Sequence, residues 1–184
     1  MRVTDLLNLD RASLADLLRR GHPIDPRALD DTEYRGVSLG IPGIVESLTW
    51  KTFKKVFHRD AETGRLRGWN VRMEQHGLDG PWRPMMKRGQ PLTFGHFVVV
   101  EPQAGEVPAG CDRGLLIDYG RGGNRRFDPV SRLRDPIVAL EAGSAELLLG
   151  WSYLQIGARK VGTPSFFCLS RDVPLSHRAA PPAA

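Results

Sequence analysis

His96 has the most unusual surroundings of any polar residue in the chain, set mid-run between Phe94 and Phe97-Val98-Val99. A neutral imidazole on such an apolar strand face can serve as a general acid or base, or as a haem ligand. It can equally be a hydrogen-bonded core histidine. Glu74 and Asp118 are the carboxylates whose strand positions would let them work with it. Such a set would suit an isomerase, cyclase or hydrolase acting on an apolar substrate. If either carboxylate is buried it needs a cation, and Arg72 is an obvious one. His58 and His76 stand near turns and read as solvated.

Asp118-Tyr119 precedes the glycine-rich stretch Gly120-Arg121-Gly122-Gly123-Asn124, followed by Arg125 and Arg126. Backbone N–H groups and guanidinium forks there could cradle a phosphate. The pattern lacks the G-x-x-x-x-G-K-[ST] spacing of a phosphate loop, and a hairpin needs glycine for positive φ in any case. Asp118 can simply cap that turn. No G-x-S-x-G elbow and no H-E-x-x-H pair occurs. Cys111 and Cys168 have neither CxxC spacing nor a neighbouring histidine, so a metal site or disulfide framework is not expected. No motif names a cofactor. Cys168, inside Ser165-Phe166-Phe167-Cys168-Leu169, reads as a buried structural thiol.

The 184 residues fit one domain with its own core, and the net charge of +5 invites a test for acidic partners. Lys51, Lys54, Lys55, His58, Arg59, Arg65 and Arg67 form the densest basic segment, a further group being Arg121, Arg125 and Arg126. Most such runs are solvated faces. No helix-turn-helix, zinc finger or single-strand-binding motif accompanies them, so nucleic acid is an unexpected partner and an acidic protein partner a secondary one. Early acids and the lack of a long apolar stretch argue against a secretory signal or a membrane span, which makes a cytoplasmic location the expectation.

Residues 4–20 read as a short helical segment, with Thr4 and Asp5 capping one turn, Ser13 a second, and Gly21 stopping it. Pro23 and Pro26 make a rigid link. Thereafter short runs of β-branched and aromatic residues, punctuated by Gly, Pro and Asp, predict an antiparallel sheet or barrel. The expected strands cover 32–39, 65–75, 91–101, 115–119, 136–140, 145–156 and 164–170; residues 44–57 fit helix or strand. Arg67, Trp69, Val71 and Met73 share one strand face, opposite Asn70, Arg72 and Glu74. Leu147, Leu149, Trp151 and Tyr153 share another. Residues 173–184 read as a flexible tail after a β-barrel domain at 23–172.

The segment Pro23 to Gly36, with Thr32-Glu33-Tyr34-Arg35-Gly36, resembles the opening of lipocalin-like domains named for a GXWXG motif. Trp50-Lys51-Thr52-Phe53 and the ending Leu147–Gly150 with Phe166-Phe167-x-Leu169 are similar too, although Thr32 and Tyr34 replace the motif's first glycine and its tryptophan. The resemblance implies a calycin-type antiparallel β-barrel. A small barrel with aromatic inner faces has room for one small apolar or amphipathic ligand. Trp69, Met73, Phe94, Trp151, Tyr153 and Phe167 are the expected lining, with Arg72, His96, Tyr119 or Tyr153 orienting a polar end. The same aromatics could instead fill the interior.

Overall fold

The computed structural model describes residues 1–40, 51–103, 105–125, 127–180 and 182. Its strands are β1 (Thr32–Leu39), β2 (Thr52–Arg59), β3 (Leu66–Arg72), β4 (Met86–Lys87), β5 (Gln90–Pro91), β6 (Thr93–Val100), β7 (Leu115–Asp118), β8 (Leu133–Ala139), β9 (Leu147–Ile156) and β10 (Arg159–Pro174). Eight of them close an antiparallel barrel in the order β1-β10-β9-β8-β7-β6-β3-β2, while β4 and β5 form a small separate hairpin. The protein is therefore mainly β, an up-and-down barrel whose closure removes every exposed strand edge from the main sheet. Of the ambiguous stretch 44–57, residues 52–57 belong to strand β2, and 44–50 lie outside the described residues.

The helical segment splits in two, α1 (Val3–Leu7) and α2 (Arg11–Arg20). Asp10, rather than Ser13, caps α2: its carboxylate accepts the Ser13 N–H at 2.8 Å. Asp and Ser compete for this role, and the residue three before the free N–H wins by geometry. Leu6, Leu14 and Leu18 pack with Val37, Leu149, Tyr153 and Phe166 on the outer wall of the barrel. Each such leucine contributes about 1.5–3 kcal/mol of burial. No helix among the described residues is long and apolar enough to cross a membrane.

Inside the barrel, one end is solidly filled. Tyr34, Phe57, Leu66, Val99, Leu115, Ile137, Leu148 and Leu169 form a core that Ile24 and Leu29 close from below. His22 anchors that closing segment to β8, exchanging backbone hydrogen bonds of 2.8 and 3.0 Å with Ala139. Tyr34 donates its hydroxyl to the Ala145 carbonyl at 2.8 Å, so its polar tip is satisfied. Further up, the inward positions alternate large and small. A Cβ on Gly36 would lie 2.3 Å from the Phe53 ring, and one on Gly150 would lie 2.2 Å from the Phe167 ring. Glycine on one wall thus makes room for phenylalanine on the next.

The outer face of β3 is covered as well. Trp69, Val71 and Met73 pack with Val56, Ala179, Trp82 and Leu175. The segment beyond β10 lies along this wall: Leu175 donates to the Asp31 carbonyl at 2.8 Å, and Ala179 accepts from Arg67 at 3.2 Å.

Candidate functional site

The period of two along β2 sends Phe53, Lys55 and Phe57 inward and Lys54 outward. Lys54 meets Glu33 at 2.7 Å and Asp172 at 2.9 Å on the outer surface. Lys55 is only 1% exposed, inside the barrel above the filled core. Its Nζ donates to the Tyr119 hydroxyl at 2.7 Å and lies 3.3 Å from Asp135 Oδ2. Tyr119 in turn donates to Asp135 Oδ2 at 3.0 Å, and Asn70 donates to the Gly95 carbonyl at 3.1 Å and lies 3.4 Å from the Tyr119 hydroxyl. Four rings surround the ammonium, Phe167, Phe97, Tyr119 and Phe53, with centroids 4.9, 5.1, 5.2 and 5.9 Å away.

The backbone around Tyr119 is held from outside the barrel. Asp118 caps the turn after β7, accepting N–H bonds from Gly120 at 2.8 Å and Arg121 at 3.2 Å. Asn124 fastens that turn to β6, donating to the carbonyls of Tyr119 at 2.8 Å and His96 at 2.6 Å while accepting the His96 N–H at 2.9 Å. The glycines of this stretch serve close packing: a Cβ on Gly122 would fall 1.8 Å from the His96 carbonyl oxygen.

Burial is the dominant influence on Lys55 and pulls its pKa below that of an ordinary lysine, against the attraction of Asp135. Tyr119 is pushed well above a free phenol, first by burial and then by the Asp135 carboxylate. The hydroxyl therefore stays protonated and donates to Asp135 while accepting from Lys55. The second carboxylate oxygen, Oδ1, is buried without a hydrogen-bond partner among the described residues. Leaving such an acceptor unmet costs about 1–3 kcal/mol.

Directly above this cluster lies a cavity of about 280 Å³, bordered by Phe53, Phe94, Phe167, Leu133, Ser152 and Ser165. It occupies the barrel end at which β1, β3, β7 and β9 finish. Arg72 stands beside it with its guanidinium carbon 5.4 Å from the Phe94 centroid. Of the aromatics expected to line a pocket, Phe94, Tyr119 and Phe167 do so. Trp69 and Met73 belong to the outer cluster under residues 175–179. Trp151 and Tyr153 lie outside too, against the helices, with Trp151 donating to the Thr163 carbonyl at 2.8 Å. Asn70 and Asp135 carry no functional reading in the sequence, and Lys55 enters there only as one cation of the basic segment. The available signal was the alternation Phe53, Lys55, Phe57, which puts a lysine between two phenylalanines on one face.

His96, Glu74 and Asp118 have separate partners. Glu74 bonds to His76 at 2.8 Å on the surface, and Asp118 pairs with Arg134 at 3.0 Å and Arg121 at 3.2 Å. His96 faces a cleft outside the barrel with Asp60, Arg65, Arg67 and Arg121, its ring 6.1 Å from that of Trp69. Burial, followed by the nearby Arg67 charge, lowers its pKa to about 4. The unfolded chain then binds a proton that the native state refuses, so stability is retained above pH 6.5 and lost as the pH falls toward 4. Acidification through that window should remove up to about 3 kcal/mol, and His96→Gln should flatten this part of a urea-melt pH profile. An unchanged profile would show that His96 is solvated.

Several cations of the basic segment meet carboxylates. Beyond Lys54 and Lys55, Arg59 pairs with Asp30 at 2.8 Å and Arg67 with Asp60 at 3.6 Å, and His58 Nδ1 is 2.5 Å from Asp31. Both cysteines are buried thiols, and burial raises Cys168 to about 12. No cluster of three or more potential metal ligands occurs among the described residues. Compared with known proteins, the chain matches no family model and no curated protein.

Proposed function

We propose that this protein binds a small ligand, apolar in body and polar at one end, inside the open half of its barrel. The observation that carries the reading is the division of the interior. One half is packed with aliphatic and aromatic side chains, while the other holds a cavity with the Lys55–Tyr119–Asp135–Asn70 cluster at its floor. Proteins rarely keep an ion pair in a barrel interior for stability, because hydrophobic residues of similar volume do at least as well. Phe53, Phe94, Phe167 and Leu133 supply the apolar wall, and Lys55, Asn70, Tyr119 and Asp135 border the polar end. At about 280 Å³ the space falls just below the usual range of ligand pockets, roughly 300 to 1,000 Å³, and so favours a single-ring compound.

The eight-stranded meander also supports reading the chain as a lipocalin-like domain, with Gly36 of the motif pressed against Phe53. Trp50, which carries part of that resemblance, lies outside the described residues. Catalysis by His96 with Glu74 or Asp118 is the less favoured reading, since the three side chains have separate partners. With Lys54, Lys55, Arg59 and Arg67 already beside carboxylates, the basic segment is the less favoured docking surface for an acidic partner.

The test is a titration with a panel of single-ring alcohols, phenols and amides, followed by backbone amide NMR. Binding should shift the amides of Phe94, Tyr119, Asp135 and Phe167 together. Ser152→Phe, which fills the cavity from β9, should weaken that binding at least about tenfold, or 1.4 kcal/mol. Shifts scattered over the outer wall, or affinity untouched by Ser152→Phe, would remove the cavity as the site.

A further inference from the structure

Resting on the cavity reading, we propose that the ligands are small aldehydes or ketones and that Lys55 captures them covalently as an imine. Lys55 Nζ is a primary amine at the floor of an apolar pocket, and desolvated lysines of this kind are the ones that form Schiff bases. Burial favours the free-amine form of Lys55 relative to lysines in water. Tyr119 and Asp135 stand where the proton transfers of the reaction need them, 2.7 and 3.3 Å from Nζ.

The steps balance within this set. The ammonium gives one proton to Asp135, and the resulting amine lone pair attacks the carbonyl carbon, forming the C–N bond as the C=O π pair moves to oxygen. A second proton passes from nitrogen to that oxygen through the Tyr119 hydroxyl, giving a carbinolamine. Asp135 then returns its proton to the carbinolamine hydroxyl, water leaves with the C–O bonding pair, and the nitrogen lone pair closes the C=N bond. The product is an iminium cation beside the Asp135 carboxylate, with one water released and no redox partner required. Its positive charge lies among the faces of Phe53, Phe97, Tyr119 and Phe167, where ring quadrupoles favour a cation.

Charge also selects the ligand class. Lys55 and Asp135 together carry no net charge, so a neutral carbonyl compound enters without leaving a buried charge uncompensated. A carboxylate ligand would place a second anion beside Asp135.

The experiment uses the full chain with benzaldehyde as electrophile, sodium cyanoborohydride as trap, and benzyl alcohol as an analogue of the same shape that cannot react. One benzyl adduct per chain should form and map to Lys55, about tenfold or more faster than at exposed Lys87. Lys55→Met combined with Asp135→Asn, which removes both charges together, should abolish the adduct, and excess benzyl alcohol should suppress it on the unaltered protein by competing for the cavity. If benzyl alcohol occupies the cavity but adducts appear only on surface lysines, imine capture is overturned and the cavity reading stands. If neither compound reaches the cavity, both readings fall.

Discussion

Lys55→Met alone should destabilise the protein by about 3–5 kcal/mol at neutral pH, whereas Lys55→Met with Asp135→Asn should be neutral or stabilising by about 1–4 kcal/mol. The single change strands a carboxylate that is 2% exposed, leaving Asp135, among the described residues, with the Tyr119 hydroxyl at 3.0 Å. The double change removes both buried charges, keeps an acceptor for Tyr119, and puts a flexible thioether among Phe53, Phe97 and Phe167. Urea denaturation of the two variants and the parent, at constant m-value, measures the contrast directly. Equal midpoints for the single variant and the parent would mean that Lys55 reaches water. A stabilised double variant that has lost its carbonyl chemistry would show that the pair is kept for function at a cost to the fold.

Trp69→Ala should cost about 3–5 kcal/mol of stability and leave affinity for benzyl alcohol unchanged. The indole is 1% exposed and packs with Val56, Val71, Met73 and Ala179, so its removal opens a hole in the outer layer. The barrel wall separates this layer from the ligand cavity. Chemical denaturation and calorimetric titration on the same preparation decide the matter. A stable variant with weakened binding would place Trp69 in the site after all.

The two predictions mark the boundary of what could be read from the residues. The alternation along β3 is plain in the sequence, with Trp69, Val71 and Met73 on one face and Asn70 and Arg72 on the other. Which face points inward is not local information. The apolar side would be expected to face the core, yet residues 175–179 and Trp82 cover it from outside, and the inward side carries Gly68 and Asn70. The same holds for Trp151 and Tyr153, whose face is buried beneath α2 instead of inside the barrel. Strand existence followed from turn chemistry and β-branched runs, both short-range. Inside and outside depended on what else covers the sheet, a long-range fact.

Lys55 illustrates the point in a single residue. Adjacent to Lys54 and close to Lys51, it reads as part of a solvated basic run, and its neighbour does meet Glu33 and Asp172 on the surface. Its two aromatic neighbours at i−2 and i+2 pointed the other way. Asp135 offered no local cue, since its partners come from β2 and from the turn after β7. The cluster assembles only when barrel closure brings β2 across the interior from β8 and the turn after β7.

Barrel closure puts a time order on the site. The seam between β1 and β10 joins distant parts of the chain, as in the bonds between Ser176 and Glu33 across 143 residues. β10 is the last strand in sequence, and it brings Ser165 and Phe167 to the cavity wall. A chain emerging from the ribosome therefore has Lys55, Tyr119 and Asp135 in hand long before it can enclose them. Until the seam forms, the amine is an ordinary solvated lysine. Its burial is a product of topology, complete only once that seam has closed.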